Sequence, residues 1–158
     1  MTNEDFAAAA ERWMDDIFRL AYSYTKRRED ADDVTQEVLL KLLRREEPFA
    51  SPAHERNWLI RATLDQCKGL YRSPWRRVTS LEDYTEILSV QPPEDRALLQ
   101  AVLGLERKYR LPLLLYYYYG YSVREVAGLL ALPENTVSTR LYRARAKLRD
   151  ILTEEEET

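Results

Sequence analysis

Apolar residues recur at steps of three and four along most of the 158 residues, the period of helices with one buried face. Phe6, Ala10, Trp13, Ile17, Ala21 and Tyr24 form one stripe and predict a long first helix. Ala31, Val34, Val38 and Leu42 predict a second. It is entered through acidic residues and left through Lys41, Arg44 and Arg45, the charge order that suits a helix dipole. Pro48 and Pro52 bound a loop, Glu46 to Arg56. A third helix is expected from near Asn57 to about Arg72, stopped by Ser73-Pro74. It turns Leu59, Thr63, Cys67 and Leu70 inward and Arg61, Asp65, Lys68 and Arg72 outward. Residues 74–93 hold Pro74, Pro92 and Pro93 without a sustained period. They read as a linker, with one short helical piece, between two small helical domains at 1–73 and 94–150.

In the second half Leu98, Ala101, Val102, Leu105 and Tyr109 lie on one stripe. Pro112 suits the first position of a helix over Leu113 to Tyr119, with Gly120 as its stop. Ser122-Val-Arg-Glu125 has the form of a capping box, opening a helix that buries Val123, Val126, Ala127 and Leu130. A break at Ala131-Leu132 and Pro133 precedes the last helix, with Val137, Leu141, Ala144 and Leu148 inward. Residues 151–158 read as an acidic tail, whose charge run Glu154 to Glu157 is expected to be a solvated frayed end. The expected fold class is all-α, and the scarcity of glycine (four residues) agrees.

Composition removes most chemistries. One cysteine, Cys67, leaves no disulfide framework or Cys-rich zinc site. There is no Gly-rich phosphate loop, nucleophile elbow or His pair, so neither an enzyme nor a bound cofactor is expected. The acids Glu29, Asp30, Asp32 and Asp33 lack the glycine and terminal glutamate of a calcium loop. His54, beside Pro52 in a polar loop, reads as solvated. No run reaches the roughly 18 apolar residues of a membrane span. The polar start, Met1 to Phe6, is unlike a secretory signal. A cytoplasmic protein without membrane insertion is the expectation.

Charge then points toward nucleic acid. The net charge is −3, yet Glu134–Arg149 holds five cations against one acid and Glu55–Arg77 six against two. Phosphate binding needs local rather than global positive charge, although an Arg-rich helix face serves solubility equally well. Segment 122–148 has the parts of a helix-turn-helix: a short capped helix, a tight turn and a second helix opening on small polar residues. Asn135, Thr136, Ser138, Thr139, Arg140 and Arg143 would meet base edges. Asn and Arg suit adenine and guanine bidentately, and Ser or Thr serve edges or phosphates. An ordinary helical hairpin would share this outline.

Tyr121 through Leu148, with its Thr136-Val-x-x-Arg140-Leu-x-Arg143-Ala-Arg145 core, resembles the C-terminal helix-turn-helix of extracytoplasmic-function sigma factors, the sigma-70 type subunits of bacterial RNA polymerase. Asp30-Ala-Asp-Asp-Val-Thr-Gln-Glu-Val38 is similar to that family's segment for docking on the polymerase clamp helices. Trp58-Leu-Ile-Arg-Ala-Thr63 down to Tyr71-Arg72 is similar to its helix that opens the upstream promoter element. The three motifs stand in the family's order around a variable linker.

The resemblance implies a two-domain factor that binds core RNA polymerase and promoter DNA and is restrained by an anti-sigma factor. Asp33, Gln36 and Glu37 would bind polymerase, unless they are simply a solvated helix start. The 46–56 loop would capture an unstacked base of the −10 element, an opening that costs a few kcal/mol per base. Phe49 would stack there or plug the local core. Ser51, His54 and Asn57 would read edges, and Arg61, Lys68 and Arg72 would hold the backbone. Asp65 stands where the family usually has Asn, and could accept from a cytosine amino group. Gly69 replaces a usual acid, and Ala131 a usual Gly, so a positive backbone angle at Ala131 would be strained. The last helix would read the −35 element as duplex. The run Tyr116–Tyr119 cannot be wholly buried; surface packing with exposed hydroxyls is favoured. Two other readings stay open: a stand-alone dimeric helix-turn-helix regulator, and a sigma-like adaptor that does not bind DNA.

Overall fold

The computed structural model of the chain describes residues 2–70 and 93–157, with side chains for 2–70 and 97–153. Residues 74–92 of the expected linker, its short helical piece and Arg72 lie outside the described residues. Two compact units form, 1–80 and 81–158. Every element among the described residues is helical, so the fold class is all-α.

The first unit packs α1 (Asn3–Thr25), α2 (Arg28–Arg44) and α3 (Pro52–Leu70) pairwise against one another. Thr2 caps α1 by accepting from the Asp5 amide. The inward stripe of α2, Ala31, Val34, Val38 and Leu42, is wholly buried. It meets Ile17, Leu20 and Ala21 of α1 and Leu59, Leu64 and Cys67 of α3, a core of mostly aliphatic side chains. Two buried threonines are satisfied locally: Thr35 Oγ1 donates to the Ala31 carbonyl and Thr63 Oγ1 to the Leu59 carbonyl, each at 2.7 Å. Those bonds let a hydroxyl enter an apolar core without the cost of an unmade hydrogen bond.

The third helix begins five residues earlier than its apolar period suggests. Ser51 Oγ accepts from the His54 amide at 3.1 Å, so Ser51 caps α3 and Pro52 takes its first position. Pro52 opens the helix rather than bounding a loop, because its fixed φ and missing N–H suit that position. The loop therefore shrinks to about 45–51.

The second unit contains α4 (Pro93–Leu103), α5 (Arg107–Leu113), a π-helical segment (Leu114–Tyr118), α6 (Val123–Leu130) and α7 (Glu134–Glu157). Helix α7 packs against α4, α5 and α6 and forms the spine of the unit. The stripe from Leu98 to Tyr109, which reads as one helix, is broken at Gly104. Its amide closes on the Gln100 carbonyl, and α5 starts afresh after Glu106. Arg110 is buried to 3% exposure and donates to the Leu105 carbonyl at 2.6 Å, sealing that break from inside.

Pro112 lies within α5 rather than at the start of a helix. A proline there removes one ladder bond, and the chain continues in the wider π form, Tyr119 N–H reaching the Leu114 carbonyl at 3.0 Å. Gly120 ends the segment with φ +77°, the stop its position suggests. Tyr119 is buried, while Tyr117 and Tyr118 are 57% and 60% exposed.

Candidate functional site

In the second unit the capping box is fully formed. Ser122 Oγ accepts from the Glu125 amide at 3.1 Å, and Glu125 Oε1 accepts from the Ser122 amide at 3.0 Å. The Ser122 amide first, and the Ser122 hydroxyl after it, hold the Glu125 carboxyl below its ordinary 4.5 by hydrogen bonding. After α6 the chain turns through Ala131 at φ 56° and ψ 48°, then Pro133 accepts the first amides of α7 from Thr136 and Val137. Val137, Leu141 and Ala144 face the core, which leaves Asn135, Ser138, Thr139 and Arg143 exposed and Thr136 and Arg140 partly so.

A groove of about 350 Å³ opens on this face, lined by Asn135, Thr136, Thr139, Arg140 and Arg143 from α7 and by Lys108 and Tyr109 from α5. Five of the six residues marked by the sequence thus share one concavity; Ser138 is exposed outside it. Lys108 and Tyr109 are additions. Tyr109 reads in the sequence as core, and it is buried, yet ammonium groups stand near its ring at 5.1 Å (Lys108) and 5.3 Å (Lys147). No spacing rule marks Lys108, because it joins the groove only through the packing of α5 on α7. Thr139 Oγ1 donates to the Asn135 carbonyl at 2.9 Å, so its oxygen remains available to accept. Arg145 turns elsewhere, donating to the Tyr117 hydroxyl at 2.7 Å.

In the first unit Asp33, Gln36 and Glu37 stand exposed on one face of α2, and the exposed Leu40 and Leu43 extend it. The 45–51 loop is folded onto α3. Phe49 meets His54 edge-on at 5.3 Å and Trp58 at 5.7 Å, with the Arg45 guanidinium carbon 4.3 Å over its ring. His54 Nδ1 accepts from the Ala50 amide at 3.0 Å, and Ser51 is the cap of α3. The His54 side chain thus serves the loop's backbone, and that of Ser51 the first turn of α3. Asn57, Arg61 and Asp65 are exposed along α3, and Lys68 is partly buried. A tie absent from the sequence pattern anchors the start of α3: Glu55 accepts from Trp13 Nε1 at 3.0 Å and pairs with Arg12 at 3.6 Å.

Comparison with known proteins places both units. Residues 9–77 match the family described as sigma-70 region 2, and residues 95–148 match sigma-70, region 4. The chain is also 31% identical over 149 residues to the RNA polymerase sigma factor SigV of Bacillus subtilis, covering 89% of this chain and 87% of that protein. The chain belongs to the extracytoplasmic-function sigma factors. The sigma factor SigM of Mycobacterium tuberculosis is 31% identical over 145 residues, covering 86% of this chain and 71% of that one.

Among solved structures, CnrH in complex with the cytosolic domain of CnrY matches with a TM-score of 0.60 and 27% identity, over 96% of this chain and 90% of that one. RpoE from Bartonella quintana, in complex with the anti-sigma factor NepR, shares the fold with a TM-score of 0.71 at 18% identity, over 95% and 98%. In this sigma factor the region 2 match spans most of α1 and all of α2 and α3, including the aromatic loop cluster. The region 4 match contains the α5–α7 groove. Among the described residues, no helix is long and apolar enough to cross a membrane.

Proposed function

We propose that this RNA polymerase sigma factor reads the −35 element as duplex through α7 and opens and reads the −10 element through the 45–51 loop and α3. The groove carries the first half of this reading. Its lining brings Arg140, Arg143 and Lys108 together with Asn135, Thr136 and Thr139, cations for phosphates beside groups that suit base edges. The outward line of Arg61, Asp65 and Lys68 on α3 supports the second half, with Arg72 continuing its spacing in sequence. Core polymerase docks on the α2 face of Asp33, Gln36 and Glu37, whose acidic and polar groups suit basic partners. The chemistry of transcription belongs to polymerase, and the site of action is the cytoplasm. An anti-sigma factor restrains the protein, a reading supported by the structural relatives, which were solved with NepR and CnrY.

The test is run-off transcription with bacterial core polymerase and genomic fragments, comparing the wild type with Asp33→Arg plus Gln36→Ala. Specific transcripts that vanish with the double variant are expected, and they map the promoters. Tight duplex binding without polymerase, unaffected by the double variant, would instead assign a stand-alone dimeric regulator. Polymerase binding with no promoter selection would assign an adaptor.

A further inference from the structure

Phe49 is the aromatic residue that the sequence offers for stacking an unstacked base, but one of its faces is taken. The Arg45 guanidinium carbon lies 4.3 Å from its ring centre and 5.3 Å from that of Trp58, while the two rings are 5.7 Å apart. The three groups form one compact triangle, its shortest side from Arg45 to Phe49. Seen from the guanidinium carbon, the two rings therefore lie in directions less than a right angle apart, so both approach it from the same quarter. Arg45 is only half-buried. It is also held in place: its amide closes the last turn of α2 on the Leu42 carbonyl, and its Nε donates to the Glu47 carbonyl at 3.0 Å. His54 packs edge-on against Phe49, its own ring fixed by the Ala50 amide.

A guanidinium is planar and weakly hydrated, and it stacks on aromatic faces and on nucleobases alike. Backed by two rings and fixed by a backbone bond, this one loses little freedom when a base lands on it. We infer that Arg45, supported from behind by Phe49 and Trp58, is the platform on which an unstacked base of single-stranded DNA stacks. Phe49 then acts as a positioning residue, holding the guanidinium in place for the base. The inference rests on the −10 reading above and names the contact that reading needs.

The test uses holoenzyme assembled from core polymerase and the full chain. The probe is a labelled single-stranded non-template oligonucleotide carrying the −10 element mapped by run-off transcription. A matching set carries one abasic site at each position in turn. Arg45→Ala lowers affinity for the intact strand by about tenfold, the scale of one lost base stack. Arg45→Lys keeps the charge but not the plane, and loses nearly as much with an unchanged salt dependence. Removing the captured base brings the wild type down to the level of both variants, and all three then bind alike. Assembly with core polymerase serves as the check that each variant is folded.

Two results overturn the inference. If Arg45→Lys binds like the wild type, charge rather than stacking is what Arg45 supplies. If the variants weaken intact and abasic strands by the same factor, Arg45 only shapes the loop. Failure of the −10 reading shows separately, in the wild type alone, as equal affinity for the −10 strand and a scrambled strand.

Discussion

Ala131 sits at φ 56° and ψ 48° in the turn between α6 and α7, a conformation that puts its Cβ against the following carbonyl. The sequence flags the position because an alanine stands where a turn wants glycine, and the structure shows the positive angle there. Ala131→Gly relieves a penalty of roughly 1–2 kcal/mol and restores part of it as unfolded-chain entropy. The expected outcome is a net gain of about 0.5–1 kcal/mol, read as a higher melting temperature in thermal unfolding. Glu125 was equally legible, as the fourth residue of a Ser-x-x-Glu box. Its carboxyl titrates below 4.5 in the folded chain, so the box is complete above that value and is lost as pH falls through the folded pKa. Melting temperatures measured from about pH 6 to about pH 3 should fall less steeply for Glu125→Gln than for the wild type. Ser51 and His54 were legible only as polar. That both bond backbone amides, Ser51 in the first turn of α3 and His54 in the loop, and that Arg110 points inward, depends on what surrounds them.

At the scale of the helix, α7 combines two faces with different tasks, and each makes its own prediction. Arg143 lines the groove, and Arg143→Ala should weaken duplex binding across sequences and lower the slope of log affinity against log salt by about 1 if it holds a phosphate. Asn135→Ala should relax discrimination at one base pair, at a cost of roughly 1–3 kcal/mol for the preferred site, measured by competition between single-base variants of the −35 duplex. In α3 the fully buried Leu64 fills the first unit's core. Leu64→Ala is expected to cost about 2–5 kcal/mol in denaturant unfolding, a large share of the stability of so small a unit. Helix interiors were well marked by period, and their ends less so. Pro52 and Pro112 carry the same residue type, yet one opens α3 and the other lies inside α5. The outcome turns on neighbours: Ser51 is free to cap beneath Pro52, whereas the amides before Pro112 are already committed to the turn that begins at Glu106.

Across the whole molecule, the two family matches cover separate units, and the proposed tasks divide the same way. Asp33→Arg with Gln36→Ala should abolish promoter-specific transcription while leaving affinity for an isolated −35 duplex unchanged, measured side by side by run-off assay and anisotropy. Equal loss in both assays would place the double variant's effect on folding rather than on docking. The all-helical class, the buried stripes, the capping box and the basic stretches were plain in the chain because each depends on residues a few positions apart. So did the family likeness, which rests on short contiguous motifs in order. The working surfaces needed packing. Lys108 reaches the groove beside Asn135 only once α5 lies against α7, and Glu55 meets Trp13 across 42 positions of sequence. Arg45 rises over Phe49 and Trp58 because the shortened loop folds back onto α3. Periodicity reports which face of an element is apolar; it carries no record of which polar side chain meets which partner, since that contact forms only when separate elements share one core.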